Sequence, residues 1–231
     1  LRKRFTGQPE HFINYFFFIA EEVREYMAEM GFRTMDEMIG RSDLLDTRKV
    51  IDHWKAEGLD FTNLFHKPDM GPDVAIYNSE RQEHDIYDIM DRTLIEKSQR
   101  AINDFEPVQI ELPVGNTDRA IGAMLSGEIA KKHGLKGLPE DTIHVKLTGT
   151  AGQSFGAFTA HGVSLELIGE ANDYVGKGLS GGRLVVYPHP NSPIVPTESM
   201  IVGNTVLYGA VTGECYFRGI AGERFAVRNS G

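Results

Sequence analysis

The sequence predicts an α-helical connector over residues 1–106 followed by a mainly β domain over residues 107–231, built as a parallel β-helix or related solenoid. Three observations predict this arrangement. Apolar residues follow a helical period in the first part, and 15 of the 25 glycines fall within residues 149–231. The glycine-rich part also contains three related segments, as expected of one structural unit stacking on copies of itself.

The first predicted element is a long helix. Apolar residues recur between Phe12 and Met30 at offsets of 0, 4, 7, 11, 15 and 18, Pro9 suits the first helical turn, and Gly31 ends the helix. Residues 16–19 are apolar on all sides of such a helix, so we expect them to be buried by something larger than this part of the chain.

The rest of the connector is predicted to be helices and loops. Thr34 and Glu37 form a capping box for a short helix that ends near Gly40. The remaining predicted elements are a helix over residues 47–57, a long loop over residues 60–82 and a helix over residues 84–103.

Strands begin with the second part. Alternating apolar residues predict a strand over residues 105–115, and a helix capped near Thr117 follows and ends at Gly134. From Ile143 onward the chain consists of short runs rich in β-branched and aromatic residues, separated by glycines.

The glycine-rich segments share one order: an aromatic residue, a glycine, a short spacer, a second glycine and an apolar strand. The three segments are residues 174–186, 206–217 and 217–227. Glycine suits sharp corners between strands because a Cβ atom is excluded there, so we interpret the glycines as coil corners. The last predicted strand covers residues 225–228, and the lack of a polar cap after it indicates a truncated coil.

The charge and the cysteine content argue against several kinds of partner and site. The net charge is −9, of which residues 1–106 contribute −8, and this acidity argues against nucleic acid as a partner. The single Cys215 excludes an internal disulfide or a cysteine-ligated cluster and fits a cytoplasmic location. The longest apolar run, residues 15–20, is too short to cross a membrane.

Two motifs suggest catalysis or cofactor binding. Residues 152–156 match the G-x-S-x-G pattern of a serine hydrolase around Ser154, with Asp173 and His189 later in the chain. That pattern requires a helix next, whereas residues 163–168 predict a strand. Glycines between residues 176 and 182 resemble a dinucleotide loop, but a strand over residues 183–187 follows them as well.

No residue is singled out as catalytic, cofactor-binding or metal-binding. The eight histidines lack the spacing of metal ligands, and we expect ordinary surface or packing roles for them. The aromatic residues Trp54, Phe61, Phe65 and Tyr77 are typical of a core.

Several segments resemble a known enzyme family. Residues 1–27 and 31–45 are similar to the end of the synthase domain of glutamate synthase. The family's C-terminal glycine-repeat (GXGXG) domain resembles residues 172–188, 202–219 and 221–231. The resemblance covers nearly the whole chain.

The resemblance implies a large subunit that makes glutamate from glutamine and 2-oxoglutarate. In that family an amidotransferase domain releases ammonia, which travels inside the protein to a synthase domain that uses FMN and an iron-sulfur cluster. The C-terminal domain is a right-handed β-helix that holds the two catalytic domains in register. We therefore expect this chain to bind no cofactor and to be inactive alone, with the remaining domains of the large subunit, and the small subunit, as its partners.

One alternative stays open. Similar glycine-repeat domains resemble subunits of formylmethanofuran dehydrogenase, so the chain is also interpreted as a free-standing β-helix subunit that binds a partner in a multi-subunit oxidoreductase. The resemblance does not distinguish NADPH from ferredoxin as the electron donor.

Overall fold

The computed structural model describes residues 6–46 and 53–230. The chain divides into two compact units, one ending at Glu83 and the other beginning at His84. The first unit is helical and irregular, and the second contains three helices and a sheet. The sequence-based division into residues 1–106 and 107–231 stays a prediction. Among the described residues, no helix is both long and apolar enough to span a lipid bilayer.

Helix α1 is the main element of the first unit. It runs from Pro9 to Met30, with Pro9 in its first turn and Gly31 in the left-handed conformation (φ 81°) after its last turn. The N–H of Phe32 donates to the carbonyl of Met27 at 2.8 Å and completes the helix end. Both predicted ends of α1 are therefore confirmed.

The other elements of this unit are short. They are α2 (Met35–Met38), α3 (Thr62–Phe65) and the 3-10 turns Ser42–Leu44 and Trp54–Ala56. The predicted capping box is confirmed for one of its two bonds, since the Thr34 hydroxyl accepts the Glu37 N–H at 3.3 Å, while the Glu37 carboxylate accepts the Arg33 N–H at 2.8 Å instead of that of Thr34. Of the predicted helix over residues 47–57, residues 47–52 lie outside the described residues. The predicted loop over residues 60–82 is irregular apart from α3.

The helices of the second unit differ from their predicted extents. They are α4 (Met90–Lys97), α5 (Gln99–Asp104) and α6 (Ala123–His133), followed by the 3-10 turn Gly134–Lys136. The predicted single helix over residues 84–103 is wrong at its start and its middle. The observed helix begins at Met90, directly after Ile89, whose backbone is extended (ψ 150°). Ser98, with a ψ of 6°, interrupts the helix after Lys97.

The predicted cap near Thr117 is also wrong. Helix α6 begins at Ala123, and its first N–H groups are satisfied by Asp91, a residue of α4. The Asp91 carboxylate accepts from the N–H groups of Gly122 and Met124 at 2.7 Å and from that of Leu125 at 3.1 Å. Burial raises the pKa of this carboxyl, and the three N–H donors oppose the rise.

In the described part of the chain, seven strands form one sheet in which every strand pairing is parallel. The order is β1-β2-β3-β4-β6, while β5 pairs with β3 and β7, and the sheet is not closed. The strands are β1 (Val108–Val114), β2 (Ile143–Ala151), β3 (Val163–Ala171), β4 (Ser180–Tyr187), β5 (Met200–Val202), β6 (Thr212–Phe217) and β7 (Ile220–Ala221). The prediction of a mainly parallel β region preceded by helices is thus confirmed.

The strand register aligns apolar side chains into rows. One row joins Ile110, Val145, Leu165, Leu184 and Cys215 across β1, β2, β3, β4 and β6. The four aliphatic members are buried in one core cluster with residues of α4, α5 and α6. Because alternate residues of a strand point to opposite faces, this register leaves the intervening residues on the outer face.

The predicted strand over residues 225–228 is wrong. These residues form a turn in which Ala226 and Arg228 have φ of 54° and 57°. Such values lie in the left-handed region and exclude a β-strand. Residues 225–227 are a short apolar run between Arg224 and Arg228, which is typical of a buried strand but does not specify a strand backbone.

Candidate interaction surfaces

The most regular feature of the second unit is a set of four stacked turns, residues 153–158, 173–178, 204–209 and 223–228. In each turn every second residue has a positive φ, and all twelve values lie between 54° and 67°. The twelve residues are Ser154, Gly156, Phe158, Tyr174, Gly176, Gly178, Thr205, Leu207, Gly209, Arg224, Ala226 and Arg228.

Backbone hydrogen bonds join each stacked turn to the next. The N–H of Tyr174 donates to the carbonyl of Asn204 at 2.9 Å, whereas the N–H of Leu207 donates back to the carbonyl of Val175 at 2.7 Å. In the corresponding bonds the N–H of the first residue donates to the carbonyl of the second: Ser154 to Asp173, Thr205 to Glu223, Gly176 to Phe155, Ala226 to Val206, Phe158 to Lys177, Gly178 to Tyr208 and Gly209 to Val227. The stacked turns therefore form a second ladder beside the sheet.

This ladder holds side chains in an unfavourable backbone conformation. Only four of the twelve left-handed residues are glycine. A residue with a Cβ atom loses roughly 1–2 kcal/mol in that conformation, and the ladder hydrogen bonds offset this cost. Glycine also avoids a close contact at position 176, where an added Cβ would lie 2.6 Å from Leu207 Cδ2.

Charged side chains crosslink the outer face of the sheet. Arg183 of β4 binds Glu214 of β6 through Nε at 2.8 Å and Asp141 through Nη1 at 2.9 Å, and its Nη2 contacts Glu140. The hydroxyl of Ser164 on β3 donates to the same Asp141. Hydrogen bonding to Ser164 and the charge of Arg183 lower the pKa of the Asp141 carboxyl.

A second group on this face is centred on Glu166 of β3. The Tyr187 hydroxyl donates to this carboxylate at 2.5 Å, and His144 Nε2 lies 3.0 Å from its other oxygen. The hydrogen bond from Tyr187, together with that from His144, lowers the pKa of Glu166. In return, Glu166 raises the pKa of Tyr187 to about 12, so this phenol is protonated at neutral pH and supplies no base.

A different surface lies on α1. Phe12, Phe16, Phe17 and Phe18 are 67%, 52%, 70% and 73% exposed within this chain. In the whole of α1 only Met27 is buried. The segment predicted to be buried on every side is therefore apolar and uncovered here, which is typical of an interaction surface rather than a core. We call residues 12–18 the aromatic segment.

The motifs that resembled catalytic sites lie in the stacked turns. Ser154 stands in the first turn, with β3 and no helix after it, and Gly176 and Gly178 belong to the second turn, which leads into β4. Neither arrangement is the strand-turn-helix that a nucleophile elbow or a dinucleotide loop needs. Gly176 and Gly178 lie at a corner before a strand, as predicted, whereas Gly181 and Gly182 lie within β4, so the corner prediction is wrong for these two.

Two further features bear on chemistry. Burial raises the pKa of the Cys215 thiol to about 12, so this side chain is no thiolate nucleophile at neutral pH. Among the described residues, no three His, Cys, Asp or Glu side chains group together in a way that could hold a metal ion.

Sequence reasoning missed the first stacked turn and the capping role of Asp91. A signal for the turn existed: Gly156 and Gly176 are separated by 20 residues, and each precedes a predicted strand. Nothing local marked Asp91, because its partners lie 31 to 34 residues away.

Comparison with known proteins decides the family. The family model described as the GXGXG motif matches residues 91–231, which include the whole sheet and all four stacked turns. This chain belongs to the GXGXG family. Within residues 91–231, Gly176 and Gly178 are alternate glycines at left-handed positions of a stacked turn.

The GXGXG chain is similar over its full length to several curated glutamate synthases. It is 50% identical to the NADH glutamate synthase of Schizosaccharomyces pombe and 48% identical to the NADPH glutamate synthase large chain of Bacillus subtilis. A ferredoxin-dependent glutamate synthase of Synechocystis is 45% identical. The chain spans 11% of the first relative's length and 15% of the other two. It thus matches the C-terminal GXGXG region of glutamate synthase.

Proposed function

We propose that this chain is the C-terminal structural region of a glutamate synthase large subunit, where it holds the amidotransferase and FMN synthase domains in register and catalyses nothing alone. The observation that carries the proposal is the full-length match to a small share of three glutamate synthases. A chain that aligns over its whole length with a small part of such long proteins is best understood as the corresponding part of a similar enzyme.

The three relatives are named for NADH, NADPH and ferredoxin. Their similarity to this chain is nevertheless close to uniform, at 45–50% identity. The identities of these three enzymes therefore do not separate them by electron donor, and the proposed role of this region is common to all three.

The finer form of the fold belongs to this proposal. We propose that the parallel strands and stacked turns are successive coils of a right-handed β-helix. Strands β1, β2, β3, β4 and β6 pair in parallel, and crossovers between parallel strands are right-handed in nearly all proteins. The ladder between stacked turns adds bonds along the same stacking direction.

Such a stack suits a spacer because each coil is fixed to its neighbours on two sides. The sheet joins one side of each coil, and the stacked turns join another. An internal path for ammonia requires fixed distances between the domains that it connects, and rigid elements provide these better than loops.

The parent enzyme's cofactors and partners follow from the same proposal. FMN and an iron-sulfur cluster would be bound by other parts of the large subunit, and those parts are the partners of this region. Contact with the small subunit and a cytoplasmic location stay predictions. The alternative of a free-standing β-helix subunit would place the same fold in another oxidoreductase.

The direct test of the inactive role uses the purified chain with FMN, glutamine, 2-oxoglutarate and a chemical reductant. We expect neither flavin fluorescence quenching nor glutamate formation, whereas a full-length glutamate synthase assayed in parallel forms glutamate. Flavin binding or glutamate production by the chain alone would contradict the proposal.

A further inference from the structure

A cavity of about 410 Å³ lies between the last residues of β2 and β3 and the connection from β4 to β5. The two strands contribute residues 148–150 and 168–170 to its lining, and the connection contributes four residues between Pro188 and Ile194. Pockets of this volume hold small molecules in many proteins. The stacked turns and the Arg183 group line other parts of the unit, so this cavity has no role in the surfaces described above.

Two glycines keep one part of the lining free of side chains. Gly149 and Gly169 are neighbours in the parallel register and have φ of 135° and 148°. A Cβ atom added to Gly149 would overlap the carbonyl oxygen of Val114, and one added to Gly169 would overlap that of Gly149. Because only glycine fits at both positions, the backbone itself forms this part of the wall.

The opposite wall is a connection with a restrained backbone. It covers residues 188–199, which we call the strap, and includes four prolines. The N–H of Ser192 donates to the carbonyl of His189 at 2.8 Å, and the N–H of Glu198 donates to that of Val195 at 2.9 Å. Each proline fixes its φ, and the two turns restrain the residues between them. The wall is therefore formed before a ligand binds, which lowers the entropic cost of binding.

The lining residues combine apolar surface with a single charge. All of them lie in the described part of the chain, and at neutral pH only Glu170 is charged. Its carboxylate accepts the Thr150 hydroxyl at 3.3 Å and has no ion pair with a described residue. His189 adds no positive charge, because its Nδ1 accepts the N–H of Asn191 at 3.2 Å and an accepting ring nitrogen has no proton. The cavity therefore suits a ligand that is cationic at one end.

We propose that this cavity binds a small molecule with an aliphatic body and one ammonium group. The ammonium group donates to the Glu170 carboxylate, and the aliphatic body covers the glycine backbone between Ile168 and Ile194. A charge-assisted hydrogen bond beside apolar surface is stronger than the same bond in open water. The structural role proposed for the chain does not require this site, so either can fail without the other.

The first experiment titrates the 231-residue chain with hexylammonium and follows the amide NMR signals of residues 148–150, 168–170 and 188–194. Three compounds provide the comparison: hexanol has no charge, hexanoate has the opposite charge, and ethylammonium lacks most of the aliphatic body. We expect saturable shifts with hexylammonium, binding about 3- to 10-fold weaker for hexanol, and binding at least about 10-fold weaker for ethylammonium. Equal binding of hexanoate, or no saturable shift with hexylammonium, would overturn the proposal.

The second experiment uses variants of the lining with controls from the strap. Glu170→Gln should weaken hexylammonium binding by about 3- to 10-fold and leave hexanol binding unchanged, since glutamine has no charge. Ile194→Ala should weaken the binding of both compounds. Glu198→Gln and Val195→Ala are the matched controls, because both residues are exposed and lie outside the lining. Undiminished hexylammonium binding by Glu170→Gln would contradict the proposal.

A final comparison identifies the source of the ammonium group. Nα-acetyl-lysine methylamide represents a lysine side chain of another protein, and tighter binding of this compound than of hexylammonium would overturn the assignment to a small molecule. The hexylammonium titration is then repeated with a full-length glutamate synthase that contains this region. We expect an affinity within about threefold of that of the chain alone, whereas loss of binding would show that another part of the enzyme covers the cavity and would overturn the proposal. If Glu170→Gln does not fold, the comparison of hexylammonium with hexanol and hexanoate in the unsubstituted chain decides.

Discussion

At the scale of single residues, Asp91 connects two helices. Its carboxylate is 3% exposed and accepts three N–H groups at the start of α6. Asp91→Ala leaves these buried donors without an acceptor, so we expect it to lower the free energy of unfolding by about 2–4 kcal/mol. Urea unfolding measures the loss. Asp88→Ala, at an exposed position just before α4, is the matched control, and equal effects of the two would contradict the capping role.

The stacked turns provide a second test at this scale, with two glycines of the same backbone conformation. Gly176 and Gly209 have φ of 66° and 64°. A Cβ atom added at position 176 would lie 2.6 Å from Leu207 Cδ2, whereas a Cβ atom added at position 209 would have no neighbouring atom within 4 Å. Gly209→Ala should cost about 1 kcal/mol through its backbone alone. Gly176→Ala adds a steric term and should cost about 2–4 kcal/mol in urea unfolding.

Equal losses for the two glycine variants would mean that the turns are not stacked as described. A smaller loss for Gly176→Ala than for Gly209→Ala would have the same meaning.

The stacked turns also show what sequence composition can locate. The turn at residues 173–178 was visible because two of its three left-handed residues are glycine. The last turn has Arg224, Ala226 and Arg228 at the same positions, and residues 225–228 were predicted to be a strand. Its backbone is set by hydrogen bonds to the preceding turn, such as Ala226 to Val206, which local sequence does not encode.

At the scale of elements, the helix ends divide into two kinds. The ends of α1 could be predicted because the residues that determine them, Pro9 and Gly31, lie at the ends of the helix itself. The start of α6 could not, since its cap comes from α4. The aromatic segment was recognised as unusual from sequence alone, yet its exposure depends on which neighbours are present, and a helical period contains no information about them.

The outer face of the sheet makes a prediction about pH. Folding lowers the pKa of Glu166 and Asp141, so their interactions stabilise the protein above the unfolded pKa values of about 4 and are lost as pH falls through the lower folded values. We therefore expect the thermal midpoint to fall as pH decreases below about 5. Glu166→Gln should reduce that decrease, because glutamine does not titrate.

The comparison variant is Glu111→Gln. Its carboxylate belongs to the same face, but it is 76% exposed and lies 4.0 Å from Lys146. Solvent weakens such a pair, so this substitution should change the pH dependence less than Glu166→Gln does. An identical pH dependence for Glu166→Gln and the unsubstituted chain would contradict the stabilising role of the Glu166 group.

At the scale of the whole molecule, the proposed role is geometric. The GXGXG chain contributes a sheet, a ladder of stacked turns and an aromatic segment, and the proposed catalytic groups of the enzyme lie outside it. The family could be identified from sequence because the glycine repeat is long and specific. The mechanical basis of the role could not, because the ladder depends on residues from four separate segments.

The most direct test measures coupling in a full-length glutamate synthase that contains this region, as glutamine consumed relative to 2-oxoglutarate consumed. We expect equal consumption for the unsubstituted enzyme. For Gly176→Ala, which loosens the stacked turns, we expect excess glutamine consumption and release of free ammonia, with a smaller excess for Gly209→Ala. Equal consumption by Gly176→Ala, in enzyme whose stacked turns exchange amide hydrogens faster than before, would contradict the claim that this region sets the distance between the catalytic domains.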